Sequence, residues 1–119
     1  DEFKRLEKTD VMLYGNAQCK ILYKLASIQF ALKKLEKAKV FFDQSLAIRE
    51  YLYTLAPTEN KNDFTEILMF ISKVNIMLNN KEVGLQQLDR AIEFLKEIEV
   101  KGGNDKLEEL KKYRKEIAN

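Results

Sequence analysis

The sequence has no histidine and no tryptophan, one cysteine, one proline and four glycines in 119 residues, and each shortage removes a class of function. Without histidine there is no imidazole base, no Cys-His pair and no imidazole metal ligand. With Cys19 alone an intrachain disulfide is impossible, which points weakly to the reducing cytosol, and a small free thiol is ordinarily a helix-packing residue. The only glycine pair, Gly102-Gly103, follows a helical pattern and lacks the neighbours of a phosphate-binding loop. Carboxylate pairs such as Glu108-Glu109 sit on a charged stripe, where solvation explains them better than a glycosidase-like cleft does. No catalytic centre and no cofactor are expected.

The chain also lacks any run near the ~18 apolar residues of a membrane span, and no charged-then-apolar leader opens it. Excess charge of one sign is missing too: 21 Lys and Arg against 19 Asp and Glu leave +2, too little to imply a polyanionic partner. A soluble, cytoplasmic protein without nucleic-acid or membrane partners is expected. The start at Asp1, without an initiator Met, suggests a processed protein or, in preference, a piece of a longer chain, with further repeats or self-association expected.

What is present is helix-forming sequence that nearly repeats after 46 residues. LYKLASIQFALKKLEKAKVFFDQSLAI, 22–48, aligns with LMFISKVNIMLNNKEVGLQQLDRAIEF, 68–94. Leu25 falls on Ile71, Ala26 on Ser72, Ile28 on Val74, Ala38 on Gly84, Phe42 on Leu88, Ser45 on Ala91 and Leu46 on Ile92. A period of this length marks stacked units that share one core, and so an all-α fold with a binding surface.

Spacing sets the expected elements. Ile21, Leu22, Leu25, Ile28 and Leu32 form an apolar stripe predicting a helix over 17–33, with Asn16 as its N-cap. Leu35, Ala38, Phe42, Ser45, Leu46, Ile48 and Leu52 predict a second helix over 36–54, close enough to make an antiparallel hairpin. The segment 56–62, opening on Ala56-Pro57, reads as the one clear loop, and Asp63 with Glu66 resembles a capping box for a third helix ending near Asn79-Asn80. Val83 to Ile98 predict a fourth helix over 82–100, stopped by Gly102-Gly103, and Leu107, Leu110 and Ile117 a charged fifth over 105–117. The resulting single domain comprises 1–15 as the tail of a preceding helix or an N-terminal cap, repeats at 16–55 and 62–101, and a capping helix at 104–119.

Short side chains at Ala26, Ala38 and Ser45, repeated as Ser72, Gly84 and Ala91, allow close helix approach, with Phe42 and Leu88 filling the space beside them. In these residues the chain resembles the tetratricopeptide repeat, through Leu25-Ala26, Lys33, Leu35, Ala38, Phe42 and Ser45-Leu46, then Ile71-Ser72, Asn79, Gly84, Leu88 and Ala91-Ile92. Gln29 and Asn75 replace the usual aromatic, Lys33 and Asn79 the turn glycine, and Lys81 the large residue kept at Leu35; the period also exceeds the usual ~34 residues. The run SerLeuAlaIleArgGlu, 45–50, is similar to the longer repeats of kinesin light chains.

The resemblance implies antiparallel hairpins stacked as a short right-handed superhelix with a C-terminal capping helix. It further implies a concave groove lined by Lys20, Tyr23, Lys24, Ser27 and Phe30, then Glu66, Met69, Phe70, Lys73 and Ile76. Apolar anchors beside cations suit a peptide or helix of a partner protein. Family members that clamp acidic chain ends use Lys with Asn; Lys20 and Lys24 match one basic pair, but Tyr23, Ser27 and Phe70 stand where the Asn side chains are needed. Alternative expectations are a scaffold piece docking through Phe3, Leu13, Tyr51, Tyr53 and Tyr113, and an RNA-binding repeat using LysLysTyrArgLys, 111–115, which interleaved glutamates disfavour.

Overall fold

The computed structural model describes residues 2–98 and 105–119, with side chains from Thr9 onward. The fold is all-α, with five helices among the described residues: α1 Glu2–Ala31, α2 Leu35–Leu55, α3 Pro57–Met77, α4 Lys81–Glu97 and α5 Asp105–Ala118. None is long and apolar enough to cross a membrane. The chain divides into two compact units, 1–60 and 61–119.

Both hairpin turns are built alike. Lys33 (φ 61°) and Asn79 (φ 67°) adopt the left-handed conformation. Lys34 N–H donates to Gln29 O at 2.9 Å and Lys33 N–H to Phe30 O at 2.9 Å; Asn80 donates to Asn75 O at 2.7 Å and Asn79 to Ile76 O at 3.2 Å. This six-to-one plus five-to-two pattern terminates a helix by satisfying its last carbonyls. Lys33 and Asn79 thus occupy glycine's place at a steric cost, smaller for Asn.

In the first unit α1 packs on α2 through a row of small side chains. Buried Gly15 lies against Leu52, where an added Cβ would come within 2.9 Å of a Leu52 methyl. One turn on, Cys19 and Ser45 exchange hydrogen bonds, Ser45 Oγ to Cys19 O at 3.1 Å and Cys19 Sγ to Ser45 O at 3.5 Å. Ala26, Ala38 and Phe42 are buried, and Tyr23 sets its ring edge-on to Phe42 at 5.8 Å. Short side chains bring the backbones close, so dispersion contacts replace the large apolar knobs of a wider interface.

Three expectations are corrected. Asn16 is not an N-cap and the first helix does not begin at 17, because α1 runs unbroken through Gly15-Asn16. Asn16 instead accepts a hydrogen bond from Arg49 Nη2 at 3.1 Å, and Gly15 is selected by Leu52 rather than by a turn. The segment 56–62 is not a loop: Ala56 alone links α2 to α3, and Pro57 takes the first helical position, where its missing N–H costs nothing. Asp63-Glu66 therefore lies inside α3. Asn60, buried, accepts from Arg49 Nη1 at 2.8 Å and donates to Leu52 O at 3.1 Å and Ala56 O at 2.9 Å, so the polar residues that suggested a loop tie the junction together. Finally, of the expected stripe Ile21, Leu25, Ile28 and Leu32 are exposed and Leu22 is half-buried; the covered face of α1 is the one carrying Gly15, Cys19 and Ala26.

The second unit follows the expected pattern more closely. Ile67, Leu68, Ile71 and Val74 of α3 and Leu88, Ala91 and Ile92 of α4 are buried, while Val83 is exposed. Gly84 lies against Ile76 and the Ser72 carbonyl, Asn75 Nδ2 donates to Gln87 Oε1 at 2.7 Å, and Phe64 meets Phe94 with ring centroids 5.3 Å apart. The Arg90 guanidinium covers the Phe64 ring at 4.6 Å. α5 docks on α4 through a two-pronged ion pair, Arg114 Nε to Asp89 Oδ1 at 2.7 Å and Nη2 to Oδ2 at 3.2 Å; its Leu107 and Leu110 are buried. The expected ends of α4 at 99–100 and the Gly102-Gly103 stop lie outside the described residues, as do the side chains of Phe3 and Leu6.

Candidate functional site

A concavity lies between α3 and α5, a cleft of about 660 Å³ lined by Glu66, Met69, Phe70, Lys73, Lys106, Glu109, Leu110 and Tyr113. Its geometry follows from helical spacing. Residues 66, 69, 70 and 73 share one face of α3, and 106, 109, 110 and 113 share one face of α5. Met69, Phe70 and Tyr113 are half-buried and Leu110 is buried, so the floor is apolar, while exposed Glu66, Lys106 and Glu109 stand on the rim.

Lys73 crosses the cleft wall, its ammonium 5.7 Å from the centre of the Tyr113 ring. The ring's negative face holds the cation in place. Burial pushes the Tyr113 hydroxyl above the ordinary tyrosine value, because a phenolate would lose hydration there. Two lysines and two glutamates on the lining make it charge-balanced, which favours an apolar anchor with polar flanks over a polyanion.

Four of the ten expected groove residues, Glu66, Met69, Phe70 and Lys73, line this cleft together. Ile76 does not; its side chain lies against Gly84 of α4. Lys20, Tyr23, Lys24, Ser27 and Phe30 lie on α1 in the first unit, with the two lysines exposed, Ser27 and Phe30 half-buried, and Tyr23 engaged with Phe42. The contribution of α5 was missed, because its charged composition suggested only a cap. Leu107, Leu110 and Tyr113 at three-residue spacing are the signal that it has an inner face.

Of the residues expected to mark a scaffold surface, Leu13 and Tyr51 are exposed and Tyr53 and Tyr113 are half-buried, Tyr113 within the cleft. Among the described residues no three His, Cys, Asp or Glu gather as a metal-binding set. No family model, curated protein or solved structure matches this chain.

Proposed function

We propose that this chain is a non-catalytic protein-interaction module of tetratricopeptide-like hairpins, working in the cytoplasm, that receives an extended or helical segment of a partner protein in the cleft between α3 and α5. The supporting observation is the build of that cleft: an apolar floor of Met69, Phe70, Leu110 and Tyr113 inside a rim carrying both charges. Such a site grips one large apolar side chain and orients it through flanking polar contacts. The near-neutral net charge and the absence of histidine agree with recognition of protein rather than of nucleic acid or a reactive substrate.

Selection of short peptides from a random library on the whole chain, followed by fluorescence anisotropy, tests this reading. Truncating the floor by Phe70→Ala should weaken the selected peptides about tenfold or more, a loss of ~1.4 kcal/mol or greater. Tyr51→Ala, which is not among the lining residues, should leave affinity unchanged. Equal affinity for wild type and Phe70→Ala would move the site elsewhere.

A scaffold role is the second reading, favoured by the exposed aliphatic face of α1.

A further inference from the structure

The 46-residue repeat allows one face of the protein to be compared with its own copy. Tyr14, Ile21, Leu25, Ile28 and Leu32 form a single row along α1, at spacings of seven, four, three and four, and are 38–73% exposed. Advanced by one period, Ile21, Leu25 and Ile28 become Ile67, Ile71 and Val74 of α3, which are 3, 0 and 0% exposed. The same aliphatic row is interior in one repeat and bare in the other. Five large apolar residues aligned on one helix face exceed the scattered exposure ordinary to surfaces.

The row's shape and surroundings define what covers it. Alternating three- and four-residue steps make a narrow seam of the kind a second helix fills, knob into hole. Its border is cationic: from Val11 to Lys34 the chain carries four lysines and no acidic residue. Exposed Lys20 and Lys24 stand one turn apart on one edge, and Lys33 and Lys34 at the end beyond Leu32. An antiparallel pairing of two α1 helices centred on the row would oppose Lys24 to its own copy, which disfavours a second molecule as the occupant. A partner helix with glutamates or aspartates beside its seam meets the same edge with opposite charge.

We infer that the α1 row Tyr14-Ile21-Leu25-Ile28-Leu32 is a docking seam for an amphipathic helix of another protein, aliphatic at alternating three- and four-residue spacing and acidic along its flanks. The seam shares no residue with the lining of the α3–α5 cleft and does not depend on its proposed role.

The test uses the whole chain and two fluorescein-labelled model helices of about four heptads, both with Ile and Leu on the seam, one with Glu and one with Lys on the flanks. The acidic helix should bind saturably, and the basic one at least tenfold more weakly. Ile21→Asp with Ile28→Asp should abolish binding while leaving the circular dichroism unchanged, since both side chains are exposed. Lys20→Glu with Lys24→Glu should reverse the preference between the two helices. Phe70→Ala should leave the affinity for the acidic helix as in wild type, and a tenfold loss would place that helix in the cleft and overturn the seam. Failure of the acidic helix to bind, or equal binding of both helices, would also overturn it. So would dimerisation of the chain, or binding to phosphatidylserine-containing vesicles, that the paired isoleucine substitutions remove; the first assigns the row to a second copy and the second to a membrane surface.

Discussion

Gly84→Ala separates helix propensity from helix packing. In an exposed helix interior, alanine in place of glycine stabilises by about 1 kcal/mol, because glycine loses more backbone entropy on folding. Gly84 is buried, and a Cβ built there would sit 2.6 Å from Ile76 Cγ1 and 2.8 Å from the Ser72 carbonyl oxygen. Ile76 is half-buried and can turn aside, but a backbone oxygen inside α3 cannot, so α4 has to retreat along its length. Overpacking of this kind costs ~2–3 kcal/mol, and subtracting the propensity gain leaves a net loss of about 1–2 kcal/mol. Gly15→Ala is the control, because its nearest neighbours are the Leu52 side-chain carbons at 2.9–3.3 Å, which can repack. Its two contributions should nearly cancel, to within about 1 kcal/mol of wild type. Urea unfolding followed by circular dichroism at matched concentration measures both. If Gly84→Ala were more stable than wild type, or the two variants shifted equally, close approach of α3 and α4 would not be the reason for the glycine.

Two further outcomes follow from the turns and the cleft. Lys33→Gly should stabilise by about 0.5–1 kcal/mol in the same unfolding assay, since glycine takes φ 61° without a Cβ penalty; Asn79→Gly should gain less, because asparagine tolerates that region better. The raised Tyr113 hydroxyl should appear in ultraviolet difference titration as a component ionising above the usual value near 10 and absent from Tyr113→Phe. Because the unfolded chain releases that proton first, Tyr113's contribution to stability is intact below about pH 10. It declines as pH rises from there through the higher folded-state value.

Much of the fold was legible because its signals are local. Helix-forming composition and three-to-four spacing predicted a helix within each of the five that the described residues form, though not the early starts of α1 and α3, and the alignment of Lys33 with Asn79 located both hairpin turns. Short-range signals misled where a distant residue decides. Gly15-Asn16 looked like a helix start, yet Leu52 selects the glycine and Arg49 engages the asparagine. Pro57 and the polar residues after it suggested a loop, although a proline at the first helical position and an asparagine bonded to the preceding carbonyls equally describe a helix entered at once. In the cleft, Glu66, Met69, Phe70 and Lys73 were legible from α3's place in the repeat; Lys106, Glu109, Leu110 and Tyr113 were not, because α5 has no counterpart within it.

By itself the sequence determined five helices, a period of 46, the positions of the hairpin turns and the small-residue row that lets helices approach. Tertiary structure alone decided which face of α1 is covered. On α1 two rows compete, one small and one aliphatic, and hydropathy favours the aliphatic row. The small row is the one covered, because Gly15, Cys19 and Ala26 allow α2 close enough to join the Cys19 and Ser45 backbones through side-chain hydrogen bonds. Periodicity measures the angle between such rows; only the neighbouring helix selects between them.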